Sequence, residues 1–437
     1  MTQTIDLLIT HGLILTTPGQ GEPLSDGFVA IHNSTIHAVG PMTSLPAPLR
    51  ATRTIDARGC LVMPGLVNGH CHAAMTLFRG LADDLPLMEW LHRHIFPAEA
   101  RLVTREMVYW CSKLAAAEMI LAGITTVADS YFYEEEAARA FAETGLRAVV
   151  AQGIIDFPAP GVPDPANNIE AAATFIQRCR GLSESRILPA LFCHSPYTCG
   201  PQTLERAKEL ARREQCTLFI HLAETREEVS LIRQRHGLSP AAYLDHLHLL
   251  DQDTVAVHGV HLDTPEIAIL KARGVGVITC PESNMKLACG IAPVPALLAA
   301  GIPMGLGSDG CASNNDLDLF SEMDSLAKLH KVATLDPTVL PAREALRLAT
   351  SGGAGVLGLG QRIGRLAPGL AADCLIIDLE RPHLTPFHGP DLLVYAAKGS
   401  DVRTTIINGE VVMDERRLLT CDLAETMARV RELAKGI

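Results

Sequence analysis

Aromatic side chains are scarce, making up only 4 % of 437 residues against a hydrophobic fraction of 48 %, so the core must close largely with small aliphatic groups. No basic run is long enough to track a phosphate backbone. With 37 Lys+Arg against 49 Asp+Glu the formal charge is −12, which argues against nucleic acid as a partner. No unbroken apolar run has membrane-spanning length, since Leu114 to Val127 is interrupted by Glu118, and Ile291 to Leu306 by repeated Pro and Gly. A membrane partner is therefore not expected. No C-x-x-C pair occurs among the 12 cysteines, and Cys193, Cys216 and Cys280 sit in apolar runs where a thiol acts as a small hydrophobe. Reduced thiols in a cytoplasm are the simple expectation. The start Met1-Thr2-Gln3-Thr4-Ile5-Asp6 lacks a basic stretch followed by an apolar core, so no secretory leader is read there and the mature chain is expected to begin at Met1. A small-molecule substrate is the partner that fits, with self-association left open.

What is present is a change of texture along the chain. Residues 5 to 56 carry short alternating apolar segments, such as Leu7-Leu8-Ile9 and Phe28-Val29-Ala30-Ile31, separated by turn residues. The same texture returns in Ala372 to Ile377 and in Arg403 to Val412, so the two ends are expected to pair into one small β-sandwich. Between them, eight short buried runs alternate with helical stretches. The runs lie near Leu61 to Val67, Thr125 to Ala128, Ala148 to Gly153, Leu188 to Cys193, Thr217 to Ile220, Val255 to Val257, Val275 to Thr279 and Met304 to Gly307. Helices are expected at Arg105 to Leu121, Glu134 to Thr144, Thr203 to Gln215, Thr225 to His236 and Pro265 to Arg273. Eight βα units predict an α/β fold, a (β/α)8 TIM barrel over 58–365, flanked by sandwich segments at 1–57 and 366–437, the latter ending in a helix.

Such a barrel gathers catalytic groups where strands end. His70 and His72 follow the first run, His194 the fourth, His221 and Glu224 the fifth, His258 the sixth and Asp309 the eighth. Alternate residues of a strand face one side, so His70 and His72 can reach a single ion, with His221 and Asp309 converging on the same rim. Asp245-His246-Leu247-His248 has the same spacing, but it follows a helix and precedes the sixth run, which puts it on the opposite rim. The donor set suits zinc, with iron, manganese and nickel left open.

Pro64-Gly65-Leu66-Val67-Asn68-Gly69-His70-Cys71-His72, His194-Ser195-Pro196-Tyr197, His221-Leu222-Ala223-Glu224, His258-Gly259-Val260-His261-Leu262, Ser283-Asn284-Met285-Lys286-Leu287 and Gly307-Ser308-Asp309-Gly310 together resemble the ordered motifs of the amidohydrolase superfamily. The nearest branch is that of the 5′-methylthioadenosine and S-adenosylhomocysteine deaminases and their chlorohydrolase relatives. Gly364 to Asp373 is similar to the family's return from barrel to sandwich. Two-metal members of this superfamily supply a bridging lysine on the fourth strand. His194 stands in that region here, so the resemblance implies one divalent metal on His70, His72, His221 and Asp309, with His194 free to contact substrate.

Deamination of an aminopurine needs a nucleophile, a proton for the ring nitrogen and a proton for the leaving ammonia. Asp309 would accept the water proton, Glu224 would carry a proton to the ring nitrogen, and His258 would hold the hydroxide or the developing tetrahedral oxygen. The competing reading of Glu224 is a carboxylate favoured by a helix N-terminus. Asp83 to Leu91 resembles the segment in which nucleoside-deaminating relatives present a glutamate to the ribose. Glu89 is the expected ribose contact, with Trp90 as a packing surface or, equally, a core residue. Relatives that take S-adenosylhomocysteine carry an arginine at the end of the third strand and another in the next loop. This chain has Gln152 there and no Lys or Arg from Asp156 to Asn168, so 5′-methylthioadenosine or adenosine is expected over S-adenosylhomocysteine. The alternatives are deamination or dechlorination of guanine, a pterin or an s-triazine, and a scaffold without metal, against which all four ligand positions are filled.

Overall fold

The computed structural model describes residues 3–46, 49–182 and 186–437. Met1, on which the expected start was read, lies outside them. Eight parallel strands form one sheet in sequential order: Leu66–Cys71, Ile124–Tyr131, Arg147–Ile154, Ile187–Cys193, Leu218–Leu222, Thr254–His258, Gly276–Thr279 and Met304–Leu306. Nearly every residue of these strands is buried, as parallel strands covered on both faces require. The eighth strand returns to the first, where the Asp309 amide donates to the His70 carbonyl at 3.0 Å. The barrel is nearly closed. Helices Arg105–Leu121 and Glu134–Thr144 fall on their expected bounds, and Pro201–Glu214, Arg226–His236 and Thr264–Arg273 lie within two residues of theirs. Among the described residues no helix is long and apolar enough to cross a membrane.

The ends of the chain form a second, mixed sheet of nine strands. Its first strand, Gln3–Ile14, bends at His11, where φ is 60°. Before the bend it pairs with Leu49–Asp56, and after it Leu13 and Ile14 pair with Leu61 and Val62. Leu7, Ile9, Val29 and Ile31 from the early strands share one hydrophobic cluster with Val62, Cys374, Ile376 and Ile406. The expected sandwich is thus one continuous sheet wrapped around a common core. In its C-terminal part, Val402–Ile407 and Glu410–Asp414 form a hairpin across Asn408-Gly409, both at positive φ (53° and 82°), the pairing a tight hairpin turn favours.

One apolar run divides in a way its texture does not announce. Leu61 to Val67, read as a single barrel strand, splits at Gly65. Cys60–Pro64 belongs to the end sheet, antiparallel to Cys374–Asp378, and only Leu66–Cys71 enters the barrel. A β-carbon on Gly65 would lie 2.0 Å from Thr125 Oγ1, so the chain can pass between the two sheets only where a side chain is missing. The end sheet therefore extends beyond the expected boundary at 57. A fully buried ion pair docks the two units, with Arg147 Nε donating to Asp373 Oδ2 at 2.8 Å.

Candidate active site

His70 lies within the first barrel strand and His72 just past it, His221 within the fifth, His258 at the end of the sixth and Asp309 three residues after the eighth. All face the C-terminal rim. His258 and Asp309 adopt positive φ (71° and 60°), as does Ala223 beside Glu224 (51°). Such backbone is disfavoured for residues with a side chain, by roughly 1 to 3 kcal/mol each, and is concentrated here where strands turn into loops. Gly307 permits the approach of the eighth strand, because a β-carbon there would come 2.9 Å from the His70 amide nitrogen.

The ring nitrogens and the carboxylate meet closely. His70 Nε2 lies 3.2 Å from His221 Nε2 and 3.4 Å from Asp309 Oδ1, which is itself 3.3 Å from His72 Nε2. Donor atoms of His70, His72 and Asp309 lie within 4.8 Å of one another, and so do those of His70, His221 and His258. His70 belongs to both groups, so His258 stands as near as the four expected ligands. His72 Nδ1 donates to the Ser130 carbonyl, which leaves its Nε2 lone pair facing Asp309. Burial lowers His70 to about 4 and holds His72 and His221 below the ordinary imidazole range. These rings are therefore neutral, as metal ligation requires. For Asp309, burial is outweighed by its hydrogen bond with His70, and the carboxyl is held well below its usual range. Ser283 and Ser313 each donate to its Oδ2 at 2.7 Å. Two ring nitrogens 3.2 Å apart, with an ionised carboxylate beside them, fit a divalent cation between them.

Glu224 follows the fifth strand, 8 % exposed, and burial raises its carboxyl above the usual value although His258 opposes this. Its Oε1 lies 3.8 Å from His258 Nε2 and accepts from the Cys289 thiol at 3.8 Å. His258 Nδ1 meets Asn284 Oδ1 at 3.0 Å and, with the amide oxygen accepting, donates to it, which turns Nε2 towards the cavity.

These groups line a cavity of about 400 Å³ whose walls are otherwise largely apolar, including Trp90, Phe96, Phe132, Phe157 and Phe192. His194 and Trp90 line it, His194 with Nδ1 3.0 Å from Thr198 Oγ1 and with burial lowering its ring to about 3. Two expected contacts are not brought there. Glu89 is 40 % exposed and pairs with Arg93 at 3.0 Å along the helix surface. Gln152 turns the other way, accepting from the Glu134 amide at 3.4 Å and lining a neighbouring hollow with Arg105 and Arg178. The loop that follows does reach the cavity through Phe157, Pro158, Ala159 and Pro160, and among the described residues lining it none is Lys or Arg. His246, at the end of the helix Pro240–His246, and His248, just past it, are exposed and away from the cluster.

The residue missed from sequence is Glu99. It lies on the short helix Phe96–Leu102 that covers the barrel mouth, lines the cavity, is 7 % exposed and accepts from the Tyr131 hydroxyl at 2.6 Å. Burial pushes its carboxyl up to about 7, against the pull of Tyr131.

Residues 61–412 match the model of the amidohydrolase family. Over 433 residues, 99 % of this chain and 98 % of the relative, the sequence is 51 % identical to the 5-methylthioadenosine/S-adenosylhomocysteine deaminase of Syntrophobacter fumaroxidans. It is 42 % identical to the 5'-deoxyadenosine deaminase of Methanosarcina mazei, across 99 % of this chain and 98 % of that one. Among solved structures, an adenosine deaminase from Xanthomonas campestris with bound zinc superposes with a TM-score of 0.96 at 38 % identity, covering all of both chains.

Proposed function

The chain belongs to the amidohydrolase family, and on that premise we propose that it is a hydrolytic deaminase of 5′-substituted adenosines, releasing ammonia and the inosine analogue. The observation that carries this reading is the convergence of neutral imidazoles and an ionised carboxylate on one wall of an apolar cavity, with the protonatable Glu224 beside them. The volume is within the range that buries a small ligand. His70, His72, His221 and Asp309 would hold one divalent ion, and zinc suits three ring nitrogens and a carboxylate. When bound, such an ion would lower the pKa of water to about 7 and so supply hydroxide at neutral pH.

The chain's own groups then move the protons. Asp309, held at Oδ2 by Ser283 and Ser313, takes a proton from the attacking water. Glu224 delivers a proton to the ring nitrogen next to the attacked carbon. The C–O bond forms, the C–N bond breaks as ammonia leaves with the proton gathered by Asp309, and the remaining hydroxyl proton returns to Glu224 as the ring carbonyl forms. His258, its ring fixed through Nδ1 by Asn284, holds the attacking water and the developing tetrahedral oxygen through Nε2. His194 and Trp90 pack against the base. Reaction in a cytoplasm suits the 12 cysteines, all of them free thiols in the structure.

Glu99 replaces Glu89 as the group offered to the ribose hydroxyls. A hydrogen bond to a charged group is worth roughly 1.5 to 3 kcal/mol, so Glu99→Gln should raise KM for nucleosides by about 10-fold or more. Adenine, which has no ribose, should be turned over equally poorly by both proteins. A KM unchanged for adenosine would remove Glu99 from the ribose site.

The neutral loop sets the 5′ preference. A homocysteine carboxylate meets no cation in this cavity, and an unmatched polar group costs roughly 1 to 3 kcal/mol, so kcat/KM should favour 5′-methylthioadenosine over S-adenosylhomocysteine by about 10-fold. Ala159→Arg should narrow the gap, because arginine binds a carboxylate through two parallel hydrogen bonds. Gln152→Arg should leave it unchanged, since that side chain faces the neighbouring hollow. The test is ammonia release across these substrates with guanine and a chloro-s-triazine alongside. Ammonia with the adenosine-to-inosine absorbance change is expected; turnover of guanine or triazine alone would overturn the reading.

A further inference from the structure

Helix Arg226–His236 begins as many helices do, with Thr225 as N-cap accepting from the Glu228 amide at 3.1 Å. In the usual capping box the glutamate at this position reaches back to the amide of the capping residue itself. Helix Thr264–Arg273 does this, with Glu266 Oε2 accepting from the Asp263 amide at 3.2 Å. Glu228 reaches further back. Its Oε1 accepts from the Ala223 amide at 2.8 Å and its Oε2 from the Glu224 amide at 2.9 Å, with the side chain buried at 3 % exposure.

Those two amides flank the Ala223 residue at φ 51°, and the Ala223 carbonyl is held from the other side by the His261 amide at 2.8 Å. We propose that Glu228 is a positioning residue for catalysis, clamping the left-handed turn that aims the Glu224 carboxyl into the cavity. It acts through Glu224 and touches no substrate. The carboxyl group holds both amides because each of its two oxygens accepts one of them. An amide side chain has one oxygen, and its NH2 would face a backbone N–H, so the turn would be free to rotate and Glu224 to wander. The inference rests on Glu224 being the proton carrier.

The test is a double-mutant cycle on the metal-loaded enzyme, read as kcat and KM with 5′-methylthioadenosine, with melting temperature and ion content measured on every variant. A displacement of about 1 Å at a reacting group costs up to ~10²-fold, so Glu228→Gln should lower kcat by about 10-fold or more. KM should stay within about 3-fold and the ion should be retained, since only a transition-state contact is lost. In the Glu224→Gln background the same substitution should cost less than about 2-fold, because residues acting as a unit are not additive. Glu228→Asp keeps the two carboxyl oxygens but withdraws them by one methylene, and should repeat the pattern if the glutamine variant folds poorly. Normal kcat in both Glu228 variants, or an equal loss with and without Glu224, would overturn the proposal. Near-normal turnover by Glu224→Gln alone would instead show that the reading of Glu224 had failed.

Discussion

Glu224→Gln should lower turnover of 5′-methylthioadenosine by at least ~10² while ion content and fold are unchanged, because well-placed acid–base catalysis contributes ~10² to 10⁴ in rate. Glutamine keeps the shape of the side chain and loses only the ability to carry a proton. The surroundings of Glu224 suit a proton carrier. Burial raises the carboxyl and favours the protonated form, while the Cys289 thiol donates to it at 3.8 Å and His258 Nε2 lies 3.8 Å away. KM should change little, since a neutral amide still fills the same wall of the cavity. A helix-terminal carboxylate favoured only by the dipole would behave differently, losing some stability and almost no rate. Near-normal turnover would therefore return Glu224 to that structural role and leave the ring nitrogen without a proton donor.

Removal of the ion should cost more. Stripping the protein with a chelator is expected to reduce kcat by at least about 10³, as the loss of several kcal/mol of charge stabilisation implies. The melting temperature should fall as well, since a ligand that binds only the folded state stabilises it. Within the stripped site His70 and His221 Nε2 face each other at 3.2 Å, where one can donate to the other but both cannot accept, and the Asp309 charge is left among neutral rings. Zinc should restore both rate and melting temperature. Activity that survives chelation, with the ion shown to be gone, would place the chemistry elsewhere.

Much of this was legible in the chain because the barrel is written in short runs. Each parallel strand is a buried apolar stretch of three to eight residues, and the polar group that serves the site stands at its end or a few positions beyond, as in Phe219-Ile220-His221 and Leu306-Gly307-Ser308-Asp309. The rim carrying His246 and His248 could be told from the catalytic rim by chain order alone. Where texture is continuous, the reading slips: Leu61 to Val67 is apolar on both sides of Gly65, and only the approach of Thr125 shows why it divides. Glu99 was hidden because Phe-Pro-Ala-Glu-Ala-Arg-Leu reads as the surface of a short helix, and its burial depends on Tyr131, 32 residues away. Glu89 drew attention in its place, yet Arg93 four residues on was the sign of a solvent-facing pair. Gln152 failed by parity, since neighbouring residues of a strand face opposite sides: Gly153 and the loop beyond the strand line the cavity, while Gln152 lines the neighbouring hollow.

The central claim is that one ion, held where His70, His72, His221 and Asp309 converge, makes this chain a deaminase. Metal-free protein titrated with zinc while 5′-methylthioadenosine deamination is followed addresses that directly. Rate should rise linearly and level off at one equivalent per chain, with ammonia and the inosine analogue formed in equal amounts. A break at two equivalents, or full turnover before any zinc is added, would contradict it.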